Sequence, residues 1–477
     1  MIYEDNVKKH VLICPRAKKR KRQEEQPYFQ KNMNCGGHGR LLGKPVTWIS
    51  SSSKSEFEPE TSTWARRIAC RVLRAHQSTF KSDETCDISA ITCQDIHSAI
   101  DVKDLSQPEI DAGIREGFLS RHIKSGGNQH TIQIASLIGH LRRMGYIERR
   151  NNPTKNDTEN SKIESDGYDS SSMTKEEPLV IIEMGAGRGM FGLTAAGVAS
   201  ANGLNTHFYM VDRAGSRSKA EKALRSAKKH VDESYLKLDN VDWCRLCCDV
   251  SHVNLPIVLE DKYDRAKIVV IAKHLCGAGT DLALKSLIPI RHRIDACLIA
   301  TCCHGICSWQ HYVGRDILRE IMEGKKSNDK HSSIPSFGPE EFDLLRRWSG
   351  ATVATRKYTP GKSSENIKDV NNQSPEDDSM EHARTLAENE TKNHAYHSSD
   401  TNISAVVREL GLSCSIQGLG RACQRLIDYG RSEYIRQNIF QTTNENSVVN
   451  HLSQYVSPEV TPQNAILWAY RKESKKI

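Results

Sequence analysis

Residues 178–192 read "PLVIIEMGAGRGMFG", an apolar run that breaks into closely spaced glycines and resumes as a helix-like stretch. A glycine loop between a strand and a helix holds a small molecule against the edge of a sheet. The spacing of the glycines restricts which molecule. Counting from Gly185, a dinucleotide fingerprint requires glycine at the sixth position, which is Met190. A phosphate-binding P-loop requires lysine and a hydroxyl after its last glycine, and "GMFGL" supplies neither. What remains is Glu-x-Gly-x-Gly-x-Gly: Glu183, Gly185, Gly187 and Gly189.

Working outward, apolar strand-like runs occupy 179–184, 206–211, 243–248, 267–272 and 295–301, with helical segments between them. Such alternation predicts an α/β fold, a parallel sheet covered on both faces, with "AILWAYRK" (465–472) as a final strand. Ligands of these sheets bind beyond the carboxyl ends of the strands. There the second run ends at Asp212, 23 residues after Gly189, and the third at Asp249. The fourth, "KIVVIAKHLCGAGTDLAL", brings Lys273, His274 and Cys276 to its mouth, and the fifth, "DACLIATCCHGICSW", brings Cys302, Cys303, His304 and Cys307. Thr280 and Asp281 read as caps of the helix "DLALKSL".

The 477 residues leave room for further segments. Residues 1–50 are basic and loop-like, with five charges in "AKKRKR" (17–22). Residues 60–150 read as helical: a capping box at Ser106–Glu109 precedes Ile110, Ile114 and Phe118, and a second stripe runs through Ile134, Leu137, Ile138 and Leu141 to Gly145. Residues 151–177 form an acidic linker, and about 357–402 a disordered insertion within the domain that spans 178–477. No secretory signal or bilayer-length apolar run is present. Mean hydropathy is −0.58 and net charge +8. The expectation is a soluble intracellular protein with reduced thiols, in cytoplasm or nucleus; "AKKRKR" also reads as an import signal.

The glycine loop resembles the first motif of S-adenosylmethionine-dependent methyltransferases with a Rossmann-like, class I fold. In that comparison the glycines let the methionine tail lie against backbone, Glu183 orients its amino end, Asp212 accepts the ribose hydroxyls and Asp249 lies near the adenine amine. "EMGAGRG", "VDRAGSRSKAE", "KHLCGAGTDLAL", "ATCCHGICSW", "FGPEEFDLLRRWSGATV", "CQRLIDYGRSEYI" and "QIASLIGHLRRMG" together resemble the tRNA methyltransferase 13 family over most of the chain. The resemblance implies transfer of a methyl group to the ribose 2′-hydroxyl of nucleotide 4 in the tRNA acceptor stem. It implies no membrane, and no protein partner is expected. A positioned base helps such a poor nucleophile, and the candidates are His274 or His304, with Lys273 stabilising negative charge. The family pattern has a second histidine after the first, where this chain has Gly305.

Metal readings attach to two places. The family begins with a Cys-His-His-Cys zinc finger, and His10 and Cys14 stand at the spacing of its second ligand pair. The first pair is absent, so the expectation is a truncated finger, with Cys35 and His38 as substitutes or as part of a glycine-rich loop. Cys303, His304 and Cys307 form a weaker alternative, because adjacent Cys302 and Cys303 on a strand would point to opposite faces. Lys18, Lys19, Arg20, Lys21 and Arg22 are the candidate tRNA-phosphate contacts, with "LRRMGYIERR" and the basic tail "YRKESKKI" in support.

Overall fold

Leu179–Met184 forms β1, buried along its whole length between two parallel neighbours. The computed structural model describes residues 15–35, 59–81, 87–108, 129–148, 177–213, 220–222, 224–225, 238, 240–259, 263, 265–324, 336–354, 402–441 and 447–472. Around β1 lie β2 (Thr206–Asp212), β3 (Val241–Cys247), β4 (Lys267–Lys273), β5 (Ile294–Ala300), β6 (Val448–Gln454) and β7 (Ala465–Arg471). They form one seven-stranded sheet in the order β3-β2-β1-β4-β5-β7-β6. β1 to β5 pair in parallel, whereas β7 runs antiparallel to both β5 and β6. The chain builds outward from β1 in one direction to β3, then returns to the other side of β1 for β4. That reversal creates a crevice position between β1 and β4 at their carboxyl ends.

The strands buried on both faces match the apolar runs. The edge strands do not. β3 starts at Val241 rather than 243, and its exposed positions alternate with covered ones. β6, "VVNHLSQ", is mostly partly exposed and was not recognisable as an apolar run.

Two apolar clusters cover the sheet. Ile181, Phe208, Met210, Val269, Ile271 and Leu298 belong to one face, with the helix Met190–Ala201 and the stripe Leu137, Ile138 and Leu141 packed there. Val180, Ile182, Val270, Ile299 and Leu284 belong to the other. The helix carrying the stripe runs Gln129–Arg143 and is followed by Gly145 in a left-handed conformation. At its centre, a Cβ on Gly139 would come within 2.6 Å of Leu105 Cβ, so glycine is the residue that permits this approach.

Five helices are labelled α1 (Pro15–Glu24), α2 (Gln129–Arg143), α3 (Met190–Ala201), α4 (Ala278–Leu287) and α5 (Ser415–Tyr434). α1 corrects the loop expectation for its part of 1–50. The basic residues are good helix formers, and Arg20–Glu24 and Lys21–Glu25 pair four residues apart at 2.8 and 3.9 Å. Beyond it, Asn34 Nδ2 donates to the carbonyls of Val250 and Val253, and Cys35 is buried in the second cluster.

The chain divides into two compact units, neither of them continuous. One comprises Met1–Ser50, Ile100–Glu320 and Arg425–Ile477, and contains the sheet; the other comprises Ser51–Ala99 and Ile321–Gln424. The helical stretch 60–150 is thus shared between them. In the second unit Pro59–Phe80 buries Ala65, Ile68, Ala69, Val72 and Leu73 along one side. Cys93–Ser98 starts with a capping box between Thr92 and Asp95. Ile110, Ile114, Phe118 and Glu109 of the Ser106 capping box lie outside the described residues, as do nearly all of 151–177 and 357–402.

Candidate active site

Three of the charged residues singled out from the sequence share one face by register alone. Glu183 pairs with Met210 on β2 and with Ile271 on β4. Asp212 and Lys273 are two residues further along those strands, and side chains two apart point the same way. Glu183, Asp212 and Lys273 therefore stand at the carboxyl ends of three adjacent strands, on the face covered by α3. The next pair in that row, Lys273 with Ala300 of β5, leaves the lysine beside a small residue.

The glycine loop explains itself by backbone conformation. Gly185, Gly187 and Gly189 have φ of 66°, 51° and 69°, left-handed values that other residues adopt at a cost. Gly187 N–H donates to Asp212 Oδ2 at 2.9 Å, and a Cβ on Gly187 would meet nothing within 4 Å among the described residues. The aspartate thus holds the loop, and the loop is open at its midpoint. Gly192, in the first turn of α3, serves a different purpose. Its N–H donates to Glu183 Oε2 at 3.2 Å, and a Cβ there would strike Phe208 and come within 2.7 Å of that same oxygen.

Glu183 is only 3% exposed. Burial pushes its carboxyl up to about 8, more than the Gly192 N–H and the charges of Arg245 and Lys273 pull it down. A carboxyl kept protonated in the fold contributes stability that is complete below its ordinary range and is lost as pH rises toward 8. Glu183→Gln keeps the shape and removes the titration. Without ligand, the wild type should therefore lose stability relative to Glu183→Gln between about pH 5 and pH 8, by on the order of a few kcal/mol. Urea unfolding of both proteins at those pH values checks this. Parallel profiles would show that Glu183 is ionised throughout.

Arg245 was not singled out from the sequence. On β3 it pairs with Met210 of β2, forms a buried ion pair with Glu221, and donates through Nη2 to the Gly187 carbonyl at 3.1 Å. Its acidic partner is 24 residues earlier, beyond any local spacing rule. Asp249 lies two residues beyond β3 and accepts from Ser251 N–H at 2.9 Å and Ser251 Oγ at 2.8 Å, so it shapes the turn there.

At the mouth of β4, Lys273 Nζ donates to His130 Nδ1 at 3.2 Å. Burial pushes the lysine down to about 8, against the raising influence of Glu183 and Cys302. His274 adopts a left-handed φ of 61° and donates from Nε2 to Gln133 Oε1 at 3.2 Å. Burial, with the Lys273 charge, pushes it down to about 4. His130 and Gln133 come from α2, so the family-like stretch "QIASLIGHLRRMG" begins by supporting this mouth.

His304 is built differently. It is 2% exposed, and its Nε2 lies 2.8 Å from Asp428 Oδ2. An ionised carboxylate only accepts, so Nε2 carries a proton and donates it, while Nδ1 is buried without a hydrogen-bond partner among the described residues. Asp428 also accepts from Thr301 Oγ1 at 2.8 Å and from Arg431 Nη1 at 3.2 Å. Burial would raise this carboxyl, but the His304 and Arg431 charges outweigh it and hold it low. Arg431 continues to Asp281, donating to Oδ2 at 2.8 Å and Oδ1 at 3.1 Å, and to the Gly277 carbonyl at 3.2 Å. Asp281 and Thr280 therefore do not cap α4. Gly277 is the N-cap and supplies no side chain, Asp281 is consumed by Arg431, and the Thr280 hydroxyl turns to the Leu275 carbonyl.

The cysteines also differ from expectation. Cys307 accepts from Arg431 and is not grouped with His304. Instead the sulfurs of Cys276, Cys302 and Cys303 lie within 4.8 Å of one another. Cys303 has a left-handed φ of 48°, so the strand alternation expected to separate it from Cys302 no longer applies. His10, Cys14 and His38 lie outside the described residues. Lys18 to Arg22 are exposed on α1, and Gln23 Nε2 donates to the Arg213 carbonyl at 2.9 Å, directly after Asp212. No helix among the described residues is long and apolar enough to cross a membrane.

Residues 132–470, which hold the strand-end residues of the site and all of the sheet but the last residue of β7, match the family model described as Methyltransferase TRM13. The chain belongs to this family. Among curated relatives, the "tRNA:m(4)X modification enzyme TRM13" of Vanderwaltozyma polyspora is 23% identical over 99% of this chain and 87% of its own length. The TRM13 of Saccharomyces cerevisiae is also 23% identical, covering 99% of this chain and 83% of its own. The Homo sapiens homolog is 26% identical over 61% of this chain and 60% of its own length. The TRM13 match takes in His130's helix from residue 132, β1 to β7 as far as Tyr470, and the Asp428–Arg431 segment.

Proposed function

We propose that this chain transfers the methyl group of S-adenosylmethionine to the ribose 2′-hydroxyl of nucleotide 4 in a tRNA acceptor stem. The observation that carries it is the single-face alignment of Glu183, Asp212 and Lys273 beside three left-handed glycines, at the reversal of strand order. Membership of the TRM13 family and the tRNA modification for which its relatives are named support the tRNA substrate. The order β3-β2-β1-β4-β5-β7-β6 with a reversed β7 supports a Rossmann-like, class I methyltransferase sheet.

The donor set suits this cofactor. Gly187 has open space over its α-carbon, which lets an elongated molecule lie on the backbone. Asp212 is assigned to its ribose hydroxyls, Glu183 to its amino end, and Asp249, together with Gly185, Gly187 and Gly189, to the remaining contacts. The cofactor supplies an electrophilic methyl group on a sulfonium. Lys273, with its ammonium lowered toward neutrality, is assigned the removal or compensation of the hydroxyl proton. His274, whose basicity burial and the Lys273 charge lower, is assigned to holding α2 against the mouth through Gln133. His304, fixed by Asp428, braces the β5 mouth. Lys18 to Arg22 on α1, tied next to Asp212 through Gln23, are assigned to tRNA phosphates. Cytoplasm or nucleus is assigned as the compartment, where thiols stay reduced.

The test is incubation of the purified chain with methyl-labelled S-adenosylmethionine and an unmodified tRNA transcript, followed by nuclease digestion and mass mapping. A 2′-O-methyl at nucleotide 4 is expected. A label on a base or on another nucleotide would overturn the substrate assignment. Cofactor binding without any transfer would favour an RNA-binding protein that retains the fold.

A further inference from the structure

The sulfurs of Cys276, Cys302 and Cys303 converge from two different strand mouths, the first from the loop after β4 and the others from the segment after β5. Cys276 Sγ and Cys302 Sγ are 3.3 Å apart. Tetrahedral zinc thiolates, with Zn–S near 2.3 Å, place their sulfurs a little under about 4 Å apart, so three sulfurs within 4.8 Å of one another are close enough to share an ion, the Cys276–Cys302 pair opening slightly from 3.3 Å to do so. Two left-handed residues that are not glycine, His274 and Cys303, lie in these two segments. Cys302 is buried, belongs to neither apolar cluster and has Cys276 as its sulfur neighbour.

We propose that Cys276, Cys302 and Cys303 form a binding site for a thiophilic d¹⁰ divalent cation such as zinc. Three thiolates with no fourth side-chain ligand in the described group leave one coordination position for a small exogenous ligand, as in open rather than closed zinc sites. The ammonium of Lys273, close enough to Cys302 to feel its charge, offsets the excess negative charge of three thiolates on a divalent ion. The ion would tie the ends of β4 and β5 together, and so fix the loops that carry His274 and His304. The site uses residues other than His10 and Cys14, and it is independent of which nucleotide the enzyme methylates.

The full chain, purified reduced and stripped with chelator, is titrated with Co²⁺ and followed by absorption. Native protein is analysed in parallel for zinc by mass spectrometry. Expected are thiolate-to-cobalt charge-transfer bands and strong visible bands of tetrahedral cobalt. They should persist in Cys14→Ser and disappear in Cys303→Ser and Cys302→Ser. Cys276→Ala, in the loop, is the second variant should Cys302→Ser fail to fold; circular dichroism reports folding for each. Charge-transfer bands unchanged in Cys303→Ser and Cys276→Ala would overturn the site. So would a Cys276–Cys302 disulfide in non-reduced peptide maps of the native protein, with no zinc present.

Discussion

Replacing Lys273 with methionine should slow methyl transfer by about 10²–10⁴-fold while leaving the affinity for S-adenosylmethionine within a few-fold of wild type. The expectation follows from position and environment together. Lys273 ends β4 on the face shared with Glu183 and Asp212, and burial has pushed its ammonium down to about 8. Methionine preserves the buried stem and removes the titrating group. Lys273→Arg separates the two roles open to it, because guanidinium keeps the charge but does not give up a proton near neutrality. If Lys273 accepts the hydroxyl proton, arginine is as slow as methionine, and the wild-type rate rises with pH through about 8. If it only compensates charge, arginine retains much of the rate. Single-turnover rates on tRNA across pH measure this, and turnover unchanged in Lys273→Met would remove the residue from the chemistry.

Arg431→Met should destabilise the chain by about 3–5 kcal/mol. Arg431 lies fully buried between Asp281 and Asp428, bonded to both. Its removal leaves two carboxylates in a region that water does not reach, and the Gly277 carbonyl and Cys307 sulfur lose their donor as well. Burying an uncompensated charge costs more than the ion pair contributes when intact. Urea denaturation is the measurement. A double variant, Asp281→Asn with Arg431→Met, should recover part of the loss, since it removes one stranded charge. A loss below about 1 kcal/mol in the single variant would mean that solvent reaches the network.

Much of this was legible from the sequence because central strands write continuous apolar runs. β1, β2, β4, β5 and β7 were found within a residue or so, and the residues just after them marked the site. β6 was missed, and β3 displaced, because edge strands have one solvated side and carry polar residues such as Asn450, His451 and Arg245. The buried network escaped for a different reason. Asp428 and Arg431 form an i, i+3 pair on α5, a spacing that reads as a surface ion pair, and their partners Asp281 and His304 are more than 120 residues away. Asp428, directly after the apolar Leu426 and Ile427 in "CQRLIDYGRSEYI", and Arg431 three residues later were the available clue. The thiol cluster was hidden by a local rule. Strand alternation separates neighbours, but the left-handed turn at Cys303 lies outside the strand where that rule applies.

The most direct check on the central claim is calorimetric titration of S-adenosylmethionine into the full-length chain and into Asp212→Ala. Asp212 is assigned to the cofactor ribose and also anchors Gly187, so its loss should remove a charge-assisted hydrogen bond worth about 1.5–3 kcal/mol. The account predicts saturable binding to the wild type, weakened by roughly 10- to 100-fold in the variant. No binding to the wild type, or equal affinity in both proteins, would contradict it.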